Sequence, residues 1–327
     1  MTKEEFVEMI FVQGGLFKLR EECSVSNPDS FKKKFIKEKI KQLKAELIEI
    51  SNNSDDNDWR ESIIQEELNY PRVSFNFDIP VYSFYIAKYL TTQEQWMETM
   101  GDNPSKFKGK KKPVESIKWY DACEYCNRLS EKFGLQKVYE ISEDDVSFEI
   151  KVIQIDAANG YRLPNHIQWI YAATGGRKKE EQLKYFEETK WKKIGWFYDS
   201  CVREMSLNAF FRKEGTRSVG KKAPNLLGIY DIFGNVDELC GDCKWTYEYA
   251  DQILDCVERK VKISEMKGPD YGEKVYALGG SWRTYCPELS YDNLNISDSK
   301  SNINSYLVNK TSFREDLGFR VALPVIS

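Results

Sequence analysis

The chain has 327 residues, 41% hydrophobic and 31% charged, with a formal net charge of -4, eight Cys and a single His, His166. That composition excludes a disordered acidic tail and a membrane protein, and the length suffices for a sizeable core. One imidazole excludes iron or zinc sites that need two or three, and the acidic balance argues against a dominant nucleic-acid surface.

Residues 10–17 are an apolar run split by Gly14 and Gly15, which predicts a strand, a tight turn and a second strand. Residues 1–6 hold no apolar stretch with a cleavage site, and no later run approaches the roughly 20 apolar residues of a membrane helix, so the cytoplasm is the expected compartment. Cysteines there stay reduced.

Pro28, Asp29 and Ser30 offer a helix start, and Ile36, Ile40, Leu43, Leu47 and Ile50 recur at helical spacing among Lys and Glu. An amphipathic helix is expected over 31–50, then a polar loop over 51–58 and a short helix over 59–68. Val73, Phe75, Phe77 and Ile79 alternate and, with residues 81–86, read as strands. A helix capped by the hydroxyls of Thr91 and Thr92 carries Trp96 and Met97, and a second helix, N-capped by Asp121, runs to Phe133. Beyond Ala172 the pattern becomes irregular, rich in Trp, Tyr, Gly and Asn. With no repeat and no linker, one domain over 1–327 is expected, with a charged helical insertion at about 22–72.

Six segments carry a resemblance: Gly101-Asp-Asn-Pro-Ser-Lys-Phe-Lys-Gly109, Pro113-Val-Glu-Ser-Ile-Lys-Trp-Tyr-Asp-Ala122, Gly160-Tyr-Arg-Leu-Pro164 with Trp169, Gly228-Ile-Tyr-Asp-Ile-Phe-Gly-Asn-Val-Asp-Glu238, Gly279-Gly-Ser-Trp282 and Leu317-Gly-Phe-Arg320. In this order they resemble the formylglycine-generating enzyme, or sulfatase-modifying factor, family. The resemblance implies an α+β, C-type-lectin-like fold with small antiparallel sheets, two main helices and much irregular loop. Trp119, Arg162, Trp169 and Arg320 match framework positions of that family.

The resemblance also implies an oxidase that holds copper(I) with two cysteines shortly after the Gly-Gly-Ser-aromatic element, a soft-ligand site suited to Cu(I). Here Cys286 is the sole Cys between Gly279 and the C-terminus, and a single thiol does not form the pair. The family's iron branch uses several histidines, which this chain lacks. His166 reads as a surface or half-buried side chain without a role. Cys123/Cys126 and Cys240/Cys243 are two Cys-x-x-Cys pairs of the kind that can complete a zinc site, but Cys123 and Cys126 fall on one predicted helix, where packing accounts for the spacing. Copper and zinc are therefore not expected. A structural Ca2+ is, on the resemblance, through Asn235, Val236 and Glu238; Asn208 matches a second calcium position, but a basic loop follows it.

The loop region 282–316 is rich in Asn, Ser, Asp and Tyr, and family members diversified by retroelements vary this same stretch. Trp282, Arg283, Tyr285, Tyr291, Asn293 and Asn295 are the candidate ligand contacts. The expectation is a bacterial, non-catalytic member that binds a protein or small ligand through this region, the helical insertion or both. Nucleic acid and membrane are not expected partners. The alternative is a copper- and thiol-dependent oxidase in which Cys286 pairs with Cys240 or Cys243 across the fold.

Overall fold

The computed structural model describes residues 2–24, 41–46, 72–143, 150–178, 191–198, 214–244, 272–285 and 305–325, together with positions 48, 62, 64, 65, 68, 181, 182, 184 and 185. A helical turn, α1 (Lys3–Phe6), leads into β1 (Met9–Val12), and the Gly14 turn reverses the chain into β2 (Gly15–Ser24), as the split apolar run predicts. β3 (Arg72–Val81) pairs with β2, and β4 (Phe84–Ala87) returns antiparallel to β1 with Phe11 opposite Tyr85.

α2 (Gln93–Met100) begins at Thr92, whose hydroxyl accepts from Gln95 N–H while the Gln95 side chain accepts from Thr92 N–H. This reciprocal cap satisfies two of the donors every helix start leaves orphaned. α3 (Trp119–Lys132) buries Trp119, Ala122, Cys123, Tyr125, Cys126 and Leu129 along one face. It starts two residues earlier than expected: Asp121 is not the N-cap but the third helical residue, and its carboxylate reaches back to Lys118 N–H at 2.9 Å. The aspartate therefore serves the helix start from inside it, accepting from the N-cap N–H rather than capping the first turn itself.

β5 (Tyr139–Glu143) and β6 (Ile150–Gln154) form a ribbon, and α4 (His166–Ala173) and the short α5 (Trp191–Ile194) follow. The region beyond Ala172 is more regular than the sequence pattern suggests. β7 (Asp237–Cys243), β8 (Lys274–Leu278), β9 (Ser305–Asn309) and β10 (Leu317–Gly318) form a four-stranded sheet in the order β10-β7-β8-β9, and β11 (Ala322–Pro324) completes the sheet β1-β4-β11. β7 hides from periodicity because Asp237, Glu238 and Asp242 are all buried alongside its apolar residues, so no polar face alternates with an apolar one.

The chain divides into two compact units, one of Met1–Phe17, Asp78–Lys244 and Ile263–Ser327, the other of Lys18–Phe77 and Trp245–Lys262. In the first, Trp96 stacks on Tyr125 at 5.4 Å, and the ring of Phe319 meets both edge-on. Such aromatic packing buries large area where regular elements are short. In the second, residues 41–46 are helical, and Leu43 is buried with Ile64 while Leu68 packs against them. The predicted stripe thus contributes Leu43 to an internal contact; Ile36, Ile40, Leu47 and Ile50 lie outside the described residues. Among the described residues, no helix is long and apolar enough to cross a membrane.

Candidate functional site

β8 ends in Gly279-Gly280-Ser281-Trp282, and the next residues are drawn together by backbone and side-chain bonds. Trp282 N–H donates to Asn235 C=O at 3.1 Å, its indole N–H reaches Glu315 C=O, and its ring meets the edge of Phe107 at 5.3 Å. Trp282 is therefore a buried floor rather than a free contact. Arg283 lies over its ring at 4.8 Å and pairs with Glu315, which also takes Lys106. Tyr198 N–H donates to Thr284 C=O at 2.8 Å, which sets its ring 4.8 Å from that of Tyr285. Tyr285 is 69% exposed, and Phe313, on the turn that carries Arg314 and Glu315, is 66% exposed.

Of the predicted contacts, Trp282, Arg283 and Tyr285 are brought together. Tyr291, Asn293, Asn295 and Cys286 lie outside the described residues, as does Asn208. Sequence reasoning missed Phe107, Tyr198, Phe313 and Glu315. Phe313 alone left a signal, as a lone aromatic in a polar run.

A second feature is a buried ionic centre. Arg320 donates from Nε and Nη2 to the two oxygens of Glu238 at 2.6 and 2.8 Å, and to the carbonyls of Ala87 and Tyr230 at 3.0 Å each. Trp169 Nε1–H adds a third bond to Glu238 at 2.9 Å. Burial still pushes the Glu238 carboxyl upward against the pull of Arg320. Asp231, also buried, accepts from Gly220 N–H at 2.6 Å through one oxygen, while Oδ1 has no hydrogen-bond donor. Desolvation raises its pKa to about 6, with the nearby Glu238 charge adding to the rise.

Arg320 thus bonds to Glu238, while the buried Asp231 carboxylate feels its charge at longer range. Asn235 and Glu238, two of the expected calcium ligands, are both engaged in hydrogen bonds. Asn235, at φ 68°, spends its amide on Arg217, accepting from its N–H at 2.9 Å and donating to its C=O at 3.1 Å. Asp231 Oδ1 is the oxygen with capacity to spare, and Glu238 can offer only what Arg320 and Trp169 leave. The turn itself depends on Gly234, at φ 76°, where a Cβ would lie 2.6 Å from Trp196 C=O.

The thiols are structural where they are described. Cys123, Cys126, Cys240 and Cys243 are buried, Cys243 with its thiol 3.6 Å from Gly272 C=O, and burial pushes the first three thiols up. Among the described residues, no three His, Cys, Asp or Glu side chains converge on a metal position. His166 is not at the surface. It begins α4 wholly buried, its Nδ1 2.5 Å from Asp242, its backbone N–H donating to the same carboxylate, and its ring stacked 4.3 Å from Tyr276. The buried carboxylate that accommodates it came from a distant strand and left no local signal.

A family model described as "Sulfatase-modifying factor enzyme 1-like domain" matches residues 1–325. The chain is 38% identical over 179 residues to "Chaperone protein LppX" of Paenibacillus barcinonensis, covering 50% of this chain and 63% of that protein. It is 28% identical over 130 residues to "Serine/threonine-protein kinase Pkn1" of Chlamydia trachomatis, 40% of this chain and 17% of that one. The chain thus spans less than two thirds of either relative. Among solved structures, "Treponema denticola variable protein 1" matches with TM-score 0.53 and 25% identity over 76% of this chain and 87% of its own. CarF matches with TM-score 0.53 and 19% identity over 98% and 99%, and PvdO from Pseudomonas aeruginosa with 0.52 and 16% over 99% and 97%. The fold is the α+β, C-type-lectin-like one that these neighbours share.

Proposed function

Because this chain belongs to the sulfatase-modifying factor family, we propose that it acts as a non-catalytic binding member, recognising a protein or small ligand through the face around Tyr285. The observation that carries this is the exposure of Arg283, Tyr285 and Phe313 on two segments joined through Glu315 and the buried Trp282. Trp, Tyr and Arg are the residue types that dominate binding energy at interfaces, and rigid anchors lose little entropy on contact. The relative named as a chaperone supports a polypeptide as the bound class.

The thiols favour the same reading. Reactive cysteines are exposed and electropositive in setting, whereas Cys240 and Cys243, the proposed partners of Cys286 in an oxidase, are buried in β7. A structural calcium ion, when bound, would be held by the Asp231 and Glu238 carboxylates and the Val236 carbonyl, and would supply the positive charge the centre lacks.

Selection of a displayed peptide library on the immobilised chain tests the proposal, with enriched peptides titrated against Tyr285→Ala. Loss of affinity by about tenfold, ~1.4 kcal/mol, is expected. Copper-dependent oxygen uptake with thiol peptides, undiminished by Tyr285→Ala, would overturn the proposal in favour of the oxidase.

A further inference from the structure

The Tyr285 face borders a segregated band of positive charge. Three segments, 106–112, 192–193 and 217–222, hold ten of the chain's 48 Lys and Arg, while all 52 Asp and Glu lie elsewhere. Net charge conceals this, because the rest of the chain is correspondingly acidic.

Main-chain bonds join the three segments. Val219 N–H donates to Lys111 C=O at 2.9 Å, Ala223 N–H to Lys193 C=O at 2.9 Å, and Lys222 Nζ to Lys192 C=O at 2.5 Å. The lysine loop is held from within by Gln93, a buried side chain that donates to the carbonyls of Phe107 and Pro113 and accepts from Gly109 and Asn103. Lys106, Lys108, Lys110 and Lys111 consequently project from a fixed frame. Phe107, between Lys106 and Lys112, sits against Gly215 on one side and Trp282 on the other, which ties the band to the Tyr285 face.

We infer that this lysine band docks an acidic segment of a partner protein, with Tyr285 and Phe313 as the adjoining anchors. The inference rests on the binding proposal and adds the partner's chemistry. Glu315 on Lys106 and Glu94 on Lys110 interrupt the lysines with negative charge, where they repel a continuous phosphate backbone but leave room for an acidic segment whose carboxylates are spaced by other residues. The band offers no exposed large apolar side chain for insertion into lipid.

Fluorescence anisotropy of the full chain with a labelled Glu- and Asp-rich peptide, carrying interspersed Tyr and Leu, supplies the test. Lys108→Glu/Lys110→Glu/Lys111→Glu is expected to weaken binding at least about tenfold, and moderate salt to weaken the wild type steeply. The same charge change at Lys151, Lys178 and Lys274 is expected to stay within about twofold. Equal affinity of the two triple variants, or tighter lysine-dependent binding of a single-stranded RNA or of phosphatidylglycerol vesicles, overturns the inference. If Tyr285→Ala abolishes binding of library-selected peptides while the lysine reversal is silent, the acidic-partner inference alone fails; if neither substitution matters, the binding proposal fails with it.

Discussion

Replacing Arg320 by Met removes the single cation from the ionic centre while keeping a long apolar stem. Two charge-assisted bonds to Glu238 disappear, and the carbonyls of Ala87 and Tyr230 each lose a donor. Removing one partner of a buried pair costs about 3–5 kcal/mol, since the other charge stays desolvated. At roughly 2–4 °C per kcal/mol for a domain of this order, melting falls by about 6–20 °C. Urea denaturation at neutral and mildly acidic pH checks the cause. Burial already holds the Glu238 carboxyl above its ordinary value, and without Arg320 it rises further. An acid raised on folding binds its proton more tightly in the native state, so the deficit is largest at neutral pH and shrinks on acidification toward the unfolded pKa. A loss below about 1 kcal/mol, or a deficit that grows with acid, refutes the assignment.

Asp231→Asn keeps an acceptor for Gly220 N–H and suits the positive φ of 51°. In chelator, the wild type loses stability as pH rises from about 4 through about 6, and the variant does not, which leaves it more stable at neutral pH by up to about 3 kcal/mol. Millimolar calcium is expected to raise the melting temperature of the wild type but not of the variant. Thiol labelling of native protein, mapped by peptide mass, is expected to spare Cys123, Cys126, Cys240 and Cys243 until denaturant is added; rapid native labelling of any of them contradicts their burial. Gly234→Ala combines an unfavourable φ with a clash against Trp196 C=O and is expected to cost at least about 2 kcal/mol by urea titration.

Local chemistry was legible wherever it lay within a few residues of sequence. The Thr92 cap, the Gly14 turn, the buried face of α3 and the order of the landmark segments all follow from short-range pattern. Long-range polar partnerships were not. Asp242 serves His166 across 76 positions, and Glu238 serves Arg320 across 82, so a one-dimensional scan reads His166 as a surface or half-buried side chain and does not pair Glu238 with Arg320. Asp231 sat four residues from the predicted calcium ligand Asn235, yet only the geometry shows which of the two retains an unsatisfied oxygen. The Tyr198 contribution to the Tyr285 face likewise depends on a backbone bond between segments distant in sequence.

Arg320 also sets a schedule for folding. Its guanidinium bridges Ala87 in β4, Tyr230 and Glu238 in β7, while β11 just beyond it pairs with β4 on the edge opposite β1. None of these closures exists until residue 320 has left the ribosome. The edge of β4 that β11 covers waits unpaired until then, and contacts spanning 233 positions make for slow, late closure. Completion of the β1-β4-β11 sheet therefore waits on the stretch that carries this arginine.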